Sequence, residues 1–218
     1  MEREISIDAP GVSLRADLAL PDDARGLVIF AHGSGSSRHS PRNRAVAGAL
    51  QRAGLSTLLM DLLTAEEERE DLATARLRFD IPLLAERLTA AIGSMAEEAE
   101  TAAFPIGAFG ASTGAAAALV AAARRPDVVR AIVSRGGRPD LAEDDLSAVR
   151  APTLLVVGSR DEQVLEMNRQ AMSRMDCEVS LEVVPGATHL FEEPGALDQV
   201  ARHASRWFVR HLADQTAA

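Results

Sequence analysis

Six short apolar runs, separated by stretches with helical periodicity, restrict this chain to a parallel sheet covered by helices. The runs occupy 27–31, 57–60, 104–109, 128–134, 153–157 and 179–184. Between them, Leu84, Leu88, Ile92 and Met95 fall on one helical face, as do Leu197, Val200, Ala201, Ala204, Trp207, Phe208 and Leu212 further on. Residues 115–123 are almost all small and apolar, which predicts a buried helix packed tightly against the sheet. The N-terminus follows a different rule. Ile5 and Ile7, then Val12, Leu14, Ala16, Leu18 and Leu20, alternate with polar residues on either side of Pro10-Gly11, which predicts an antiparallel pair at one sheet edge. The most polar insert, 65–71, reads as a solvated loop or helix end. No insert between the last strands is long enough for a large lid, so an open site is expected. No internal repeat or linker is visible, and 218 residues suit one domain.

Charge narrows the partners. A formal charge of −9, from 23 basic and 32 acidic side chains, argues against a nucleic-acid or anionic-membrane partner. The lone Cys177 excludes an intramolecular disulfide and fits a reducing compartment. Met1-Glu2-Arg3-Glu4 is unlike the start of a signal peptide, and no run of ~20 apolar residues occurs, so a soluble cytoplasmic protein is expected.

The chemistry-bearing signal is Gly110-Ala111-Ser112-Thr113-Gly114, placed between an apolar run and the Ala-rich helix. In that context G-x-S-x-G reads as a nucleophile elbow, with Ser112 pushed above the sheet edge and the helix N-terminus favouring developing negative charge. Of the five histidines, His189 follows the last strand in Pro185-Gly186-Ala187-Thr188-His189-Leu190-Phe191, at the edge where Ser112 sits. His203 and His211 fall in the last helix and read as surface residues. Asp161 leaves the preceding strand at the same edge, with Glu162 as the competing acid and helix N-capping as an alternative or additional role for Asp161. The order Ser112, Asp161, His189 is that of a strand–turn–helix hydrolase triad. His32-Gly33-Ser34-Gly35-Ser36-Ser37 supplies a glycine-rich loop, so the backbone N–H groups of Thr113 and Ser34 are the candidate oxyanion hole. A phosphate-binding loop is excluded because the Gly-Lys-Ser/Thr ending is missing. His32 is expected to brace this loop.

Together these segments resemble the dienelactone hydrolase-like branch of the α/β-hydrolase family, over nearly the whole chain. The likeness extends to small hydrolase domains that bacteria also carry fused to phosphoribosyltransferase domains. It is carried by Ser37-Arg38-His39-Ser40-Pro41-Arg42-Asn43-Arg44, by Ser134-Arg135-Gly136-Gly137-Arg138-Pro139-Asp140, and by the segment from Pro185 to Gly195. The resemblance implies an α/β-hydrolase fold; with the patterning above, one domain over 1–218 is expected, a mostly parallel sheet with an antiparallel N-terminal edge, helices on both faces and no large lid, and no phosphoribosyltransferase domain is expected beside it. True dienelactone hydrolases use cysteine at the elbow. Here Ser112 stands there, and Cys177 precedes a strand, so lactone specificity is not implied.

The expected reaction is acyl transfer from a small ester of short or medium chain, with no metal or organic cofactor. A non-catalytic binding module on the same scaffold, or cleavage of amides, thioesters or peroxides, are the competing readings. Arg38, Arg135 and Arg138 are candidates to hold an anionic group of the substrate. Their alternative role is to pair with acids such as Asp61 or Asp140 and pin loops.

Overall fold

The computed structural model describes residues 1–213. Eight strands form one sheet: β1 (Glu2–Ala9), β2 (Val12–Ala19), β3 (Leu27–Ala31), β4 (Ser56–Met60), β5 (Ile106–Ala111), β6 (Val129–Arg135), β7 (Thr153–Gly158) and β8 (Val179–Val184). Their order is β1-β2-β4-β3-β5-β6-β7-β8. From β4 onward along that order every pairing is parallel, whereas β1 pairs with β2, and β2 with β4, antiparallel. The alternating N-terminal pattern therefore builds the sheet edge, as its half-polar character requires.

The helices are α1 (Pro41–Arg52), α2 (Ala65–Thr74), α3 (Ile81–Glu97), α4 (Thr113–Arg124), α5 (Glu162–Met172) and α6 (Ala196–Ala213). Successive residues of β3 serve different layers. Leu27, Ile29 and Ala31 join the core built with α3 and α4, and Val28 and Phe30 join the core built with α1 and α6. A strand covered on both faces must be apolar at every position, which is why the central strands read as unbroken runs. The Ala-rich run becomes α4, whose residues from Thr113 to Ala122 are all buried between α3 and the sheet. Among the described residues no helix is long and apolar enough to cross a membrane.

Of the two readings of the acidic insert, loop or helix end, the structure takes the second: it opens α2, closed at its start by a reciprocal capping box between Thr64 and Glu67. Residues 41–52 form α1, started by the Ser40 side chain and Pro41, so Arg42 and Arg44 stand on a helix. One local expectation is corrected. His211 is not a free surface residue. Its ring lies 4.4 Å from that of Trp207 and its side chain is only 12% exposed.

Candidate active site

The parallel strands β3 to β8 all deliver their C-terminal ends to one edge, and every candidate residue leaves a strand there. β5 ends at Ala111 and α4 begins at Thr113, so the whole reversal is made at Ser112. Its backbone sits at φ +52° and ψ −121°, a strained conformation for a residue with a side chain. The flanking glycines make the reversal possible. A Cβ on Gly110 would lie 2.3 Å from the Ala115 Cα, and one on Gly114 would lie 2.3 Å from the Ala31 carbonyl oxygen.

The segment after β6 clasps this elbow. The Ser112 N–H donates to the Arg135 carbonyl at 3.2 Å, and the Ser112 carbonyl accepts from the Arg138 N–H at 3.1 Å. The same segment reaches His189: a Cβ on Gly136 would stand 3.5 Å from the His189 Cε1. Ser112 and His189 line one cleft of ≈ 400 Å³, together with Ser34, Thr113 and Arg135.

His189 holds its Nδ1 2.6 Å from Asp161 Oδ2. Asp161 occupies the N-cap position of α5, yet its side chain makes no capping hydrogen bond, so the carboxylate is committed to the histidine. Glu162, the competing acid, is the first residue of α5 and makes no such bond. Nδ1–H donation to a carboxylate leaves Nε2 as the imidazole's free acceptor toward the cleft, the tautomer a general base needs.

The loop after β3 lies directly on the elbow. A Cβ on Gly33 would come within 3.0 Å of both the Ala111 carbonyl oxygen and the Ser112 Cβ. Ser34 and Thr113 are adjacent, with their hydroxyl oxygens 3.1 Å apart. Among the described residues, no backbone carbonyl accepts from the N–H of either one. His32 braces the loop: its Nε2 accepts from the Leu62 N–H at 3.0 Å and its Nδ1 lies 3.0 Å from the Gly33 carbonyl. Burial lowers its pKa and keeps the ring neutral, which suits a structural acceptor.

The three candidate arginines separate. Arg38 is a correction: it does not line the cleft but ties Asp61 (2.5 Å), Asp17 (3.3 Å) and Glu4 (2.7 Å) together beneath the loop. Arg138 lines the cleft while pairing in bidentate fashion with Asp140, at 2.9 and 2.7 Å. Arg135 lines the cleft and, among the described residues, has no such partner. The cleft also takes Arg42 on α1, in the arginine-rich stretch after the glycine-rich loop, and residues that sequence reasoning left out, among them Phe79 on the short turn after α2 and Leu190 beside the histidine. Leu190 carries a sequence signal in its adjacency to His189; a lone Phe79 carries none. Cys177 lies on the segment entering β8, at the opposite edge of the sheet, where burial pushes its thiol pKa up.

An open, mostly parallel sheet with a strained serine on a strand–helix elbow and a histidine–aspartate pair in the following loops is an α/β-hydrolase architecture. The chain belongs to the dienelactone hydrolase family, whose family model matches residues 14–212. It is similar to a dienelactone hydrolase from Anabaena variabilis, with 55% identity, 97% of this chain and 98% of that chain covered, and a TM-score of 0.95. It is also 56% identical over 211 residues to a Mycobacterium tuberculosis protein named as a phosphoribosyl transferase, covering 97% of this chain and 47% of the relative. The chain thus spans about half the length of the curated relatives it matches. Est1E from Butyrivibrio proteoclasticus shares the fold at 18% identity, with 95% of this chain and 98% of that chain covered and a TM-score of 0.80.

Proposed function

We propose that this protein is a serine hydrolase that cleaves small carboxylic esters through an acyl-enzyme on Ser112. The observation that carries the reading is the convergence of the strained Ser112 elbow and the Asp161–His189 pair on one cleft. Ser112 Oγ attacks the ester carbonyl as His189 Nε2 takes its proton, and Asp161 steadies the imidazolium. The N–H groups of Ser34 and Thr113 stabilise the oxyanion of the tetrahedral intermediate. Collapse breaks the ester C–O bond, and His189 returns the proton to the departing alcohol. Water then attacks the acyl-enzyme by the same route and frees the acid.

The walls of the cleft favour short acyl groups. Serines and arginines make up about half of the lining residues, and Phe79, Val164 and Leu190 are the large apolar ones. A long acyl tunnel has no lining here. The test is a panel of 4-nitrophenyl esters of increasing chain length beside matched thioesters and anilides. Esters of short chain are expected to turn over fastest, and folded Ser112→Ala is expected to lose about three or more orders of magnitude in turnover. Retention of ester turnover by that variant would overturn the reading. A thioester or anilide preference that still depends on Ser112 would keep the triad and move the substrate class.

A further inference from the structure

Arg135 is the last residue of β6, and its backbone carbonyl helps to hold the nucleophile elbow. Its side chain has no comparable structural task. The residue is only 8% exposed, and among the described residues neither Nε nor Nη1 of the guanidinium finds a hydrogen-bond acceptor. Among the described residues no carboxylate forms an ion pair with it. Its charged neighbour is another cation, Arg42, whose repulsion adds to burial in depressing the Arg135 pKa to about 10. Arg42 Nε is likewise buried without an acceptor, although Arg42 Nη1 lies 3.2 Å from the exposed Glu192. Both arginines line the cleft that holds Ser112 and His189.

A buried, uncompensated guanidinium costs free energy, and a fold tolerates one where something else is gained. The chain has carboxylates to spare at −9 net charge, and it places several of them on Arg38, while none of the described residues brings one to Arg135. The N–H groups of two neighbouring guanidiniums, one on a buried side chain and one on a half-buried side chain, are suited to the oxygens of an anion.

We infer that Arg135 and Arg42 form a subsite for an anionic group, a carboxylate or a phosphate, carried by the substrate cleaved at Ser112. This rests on the ester-hydrolase reading for its second half only: the anion site stands on its own geometry. The subsite raises affinity for substrates bearing that anion at a distance from the scissile carbonyl, and Arg138, already held by Asp140, frames it.

The experiment compares 4-nitrophenyl butyrate with its anionic analogues, the mono-4-nitrophenyl ester of succinic acid and the 4-nitrophenyl ester of 3-phosphonopropionic acid. The ratio of kcat/KM for the anionic to the neutral ester is measured in the wild type, Arg135→Gln and Arg135→Lys. The ratio is expected to fall about 10- to 100-fold in Arg135→Gln, chiefly through KM, and to recover partly in Arg135→Lys. Which analogue the wild type prefers tells carboxylate from phosphate. An unchanged ratio, with turnover still dependent on Ser112, would overturn the subsite and leave the hydrolase reading intact. If no ester is hydrolysed, the hydrolase reading fails and a binding arm still decides. Calorimetric titration of wild type and Arg135→Gln with succinate and with 3-phosphonopropionate is expected to show binding to the wild type that the variant loses. Equal binding, or none, would overturn the subsite. Arg42→Gln serves as the second variant should Arg135→Gln not fold.

Discussion

Arg38 and Arg135 are equally covered, each 8% exposed, and both follow strands at the same edge of the sheet. Their surroundings are opposite. Arg38 gathers Asp61, Asp17 and Glu4 around one guanidinium and receives a further bond on its own backbone, since its N–H donates to Asp61 Oδ1 at 2.8 Å. Arg135 neighbours Arg42 and, among the described residues, has no acid. The contrast teaches that burial alone does not tell a structural arginine from a functional one. The electrostatic partner does. The loop after β3 rests on an ion network, whereas the cation of the proposed anion subsite is left unpaired among the described residues.

This comparison can be broken in several places. The largest effect belongs to the cleft that Arg135 shares. Asp161→Asn keeps the shape but offers His189 the wrong partner at Nδ1, so turnover should fall by about three to four orders of magnitude. His189→Ala should lose activity to a similar degree, because the serine proton then has no acceptor. If Asp161→Asn were as active as wild type, the 2.6 Å pair would be an ornament of the loop and the cleft would lose its claim to chemistry.

A second, smaller effect is expected on the Arg38 side. Arg38→Met leaves Asp61, 19% exposed, without its cation and Asp17, 15% exposed, with Arg44 alone. Urea denaturation should report a loss of about 2–4 kcal/mol with little change in slope. A stability equal to wild type would mean that the network is decorative.

The smallest effect has the opposite sign. The charged form of Arg135 is the one the fold disfavours, because its pKa is depressed from 12.5 to about 10. That penalty is fully present at neutral pH and fades only as pH rises through about 10. Arg135→Met should therefore stabilise the free protein, by about 1 kcal/mol and ~2–4 °C in Tm. Destabilisation instead would place Arg135 with Arg38 as a structural residue.

Much of this was legible in the residues. The central strands announce themselves because burial on both faces forces runs such as Leu27 to Ala31 to be wholly apolar, and the elbow because Gly110 and Gly114 flank Ser112 between such a run and an alanine helix. What stayed hidden depended on neighbours distant in sequence. The fate of the three arginines was set by Asp17, Asp61 and Asp140, and only tertiary placement brings Asp17 on β2 to Arg38. The choice of Asp161 over Glu162 turned on which side chain the first turn of α5 directs at His189. The two readings of the acidic insert, loop or helix end, are separated by a local signal, the Thr64–Glu67 capping box that starts α2.

The central claim is that Ser112 is a nucleophile activated within this cleft. Labelling with a fluorophosphonate followed by peptide mass spectrometry tests it most directly, because the adduct reports the activated oxygen without any assumption about substrate. The account predicts one adduct, on the peptide carrying Ser112, absent from Ser112→Ala and strongly slowed in His189→Ala. An unlabelled wild type, or an adduct on another serine such as Ser34 that persists in Ser112→Ala, would contradict it.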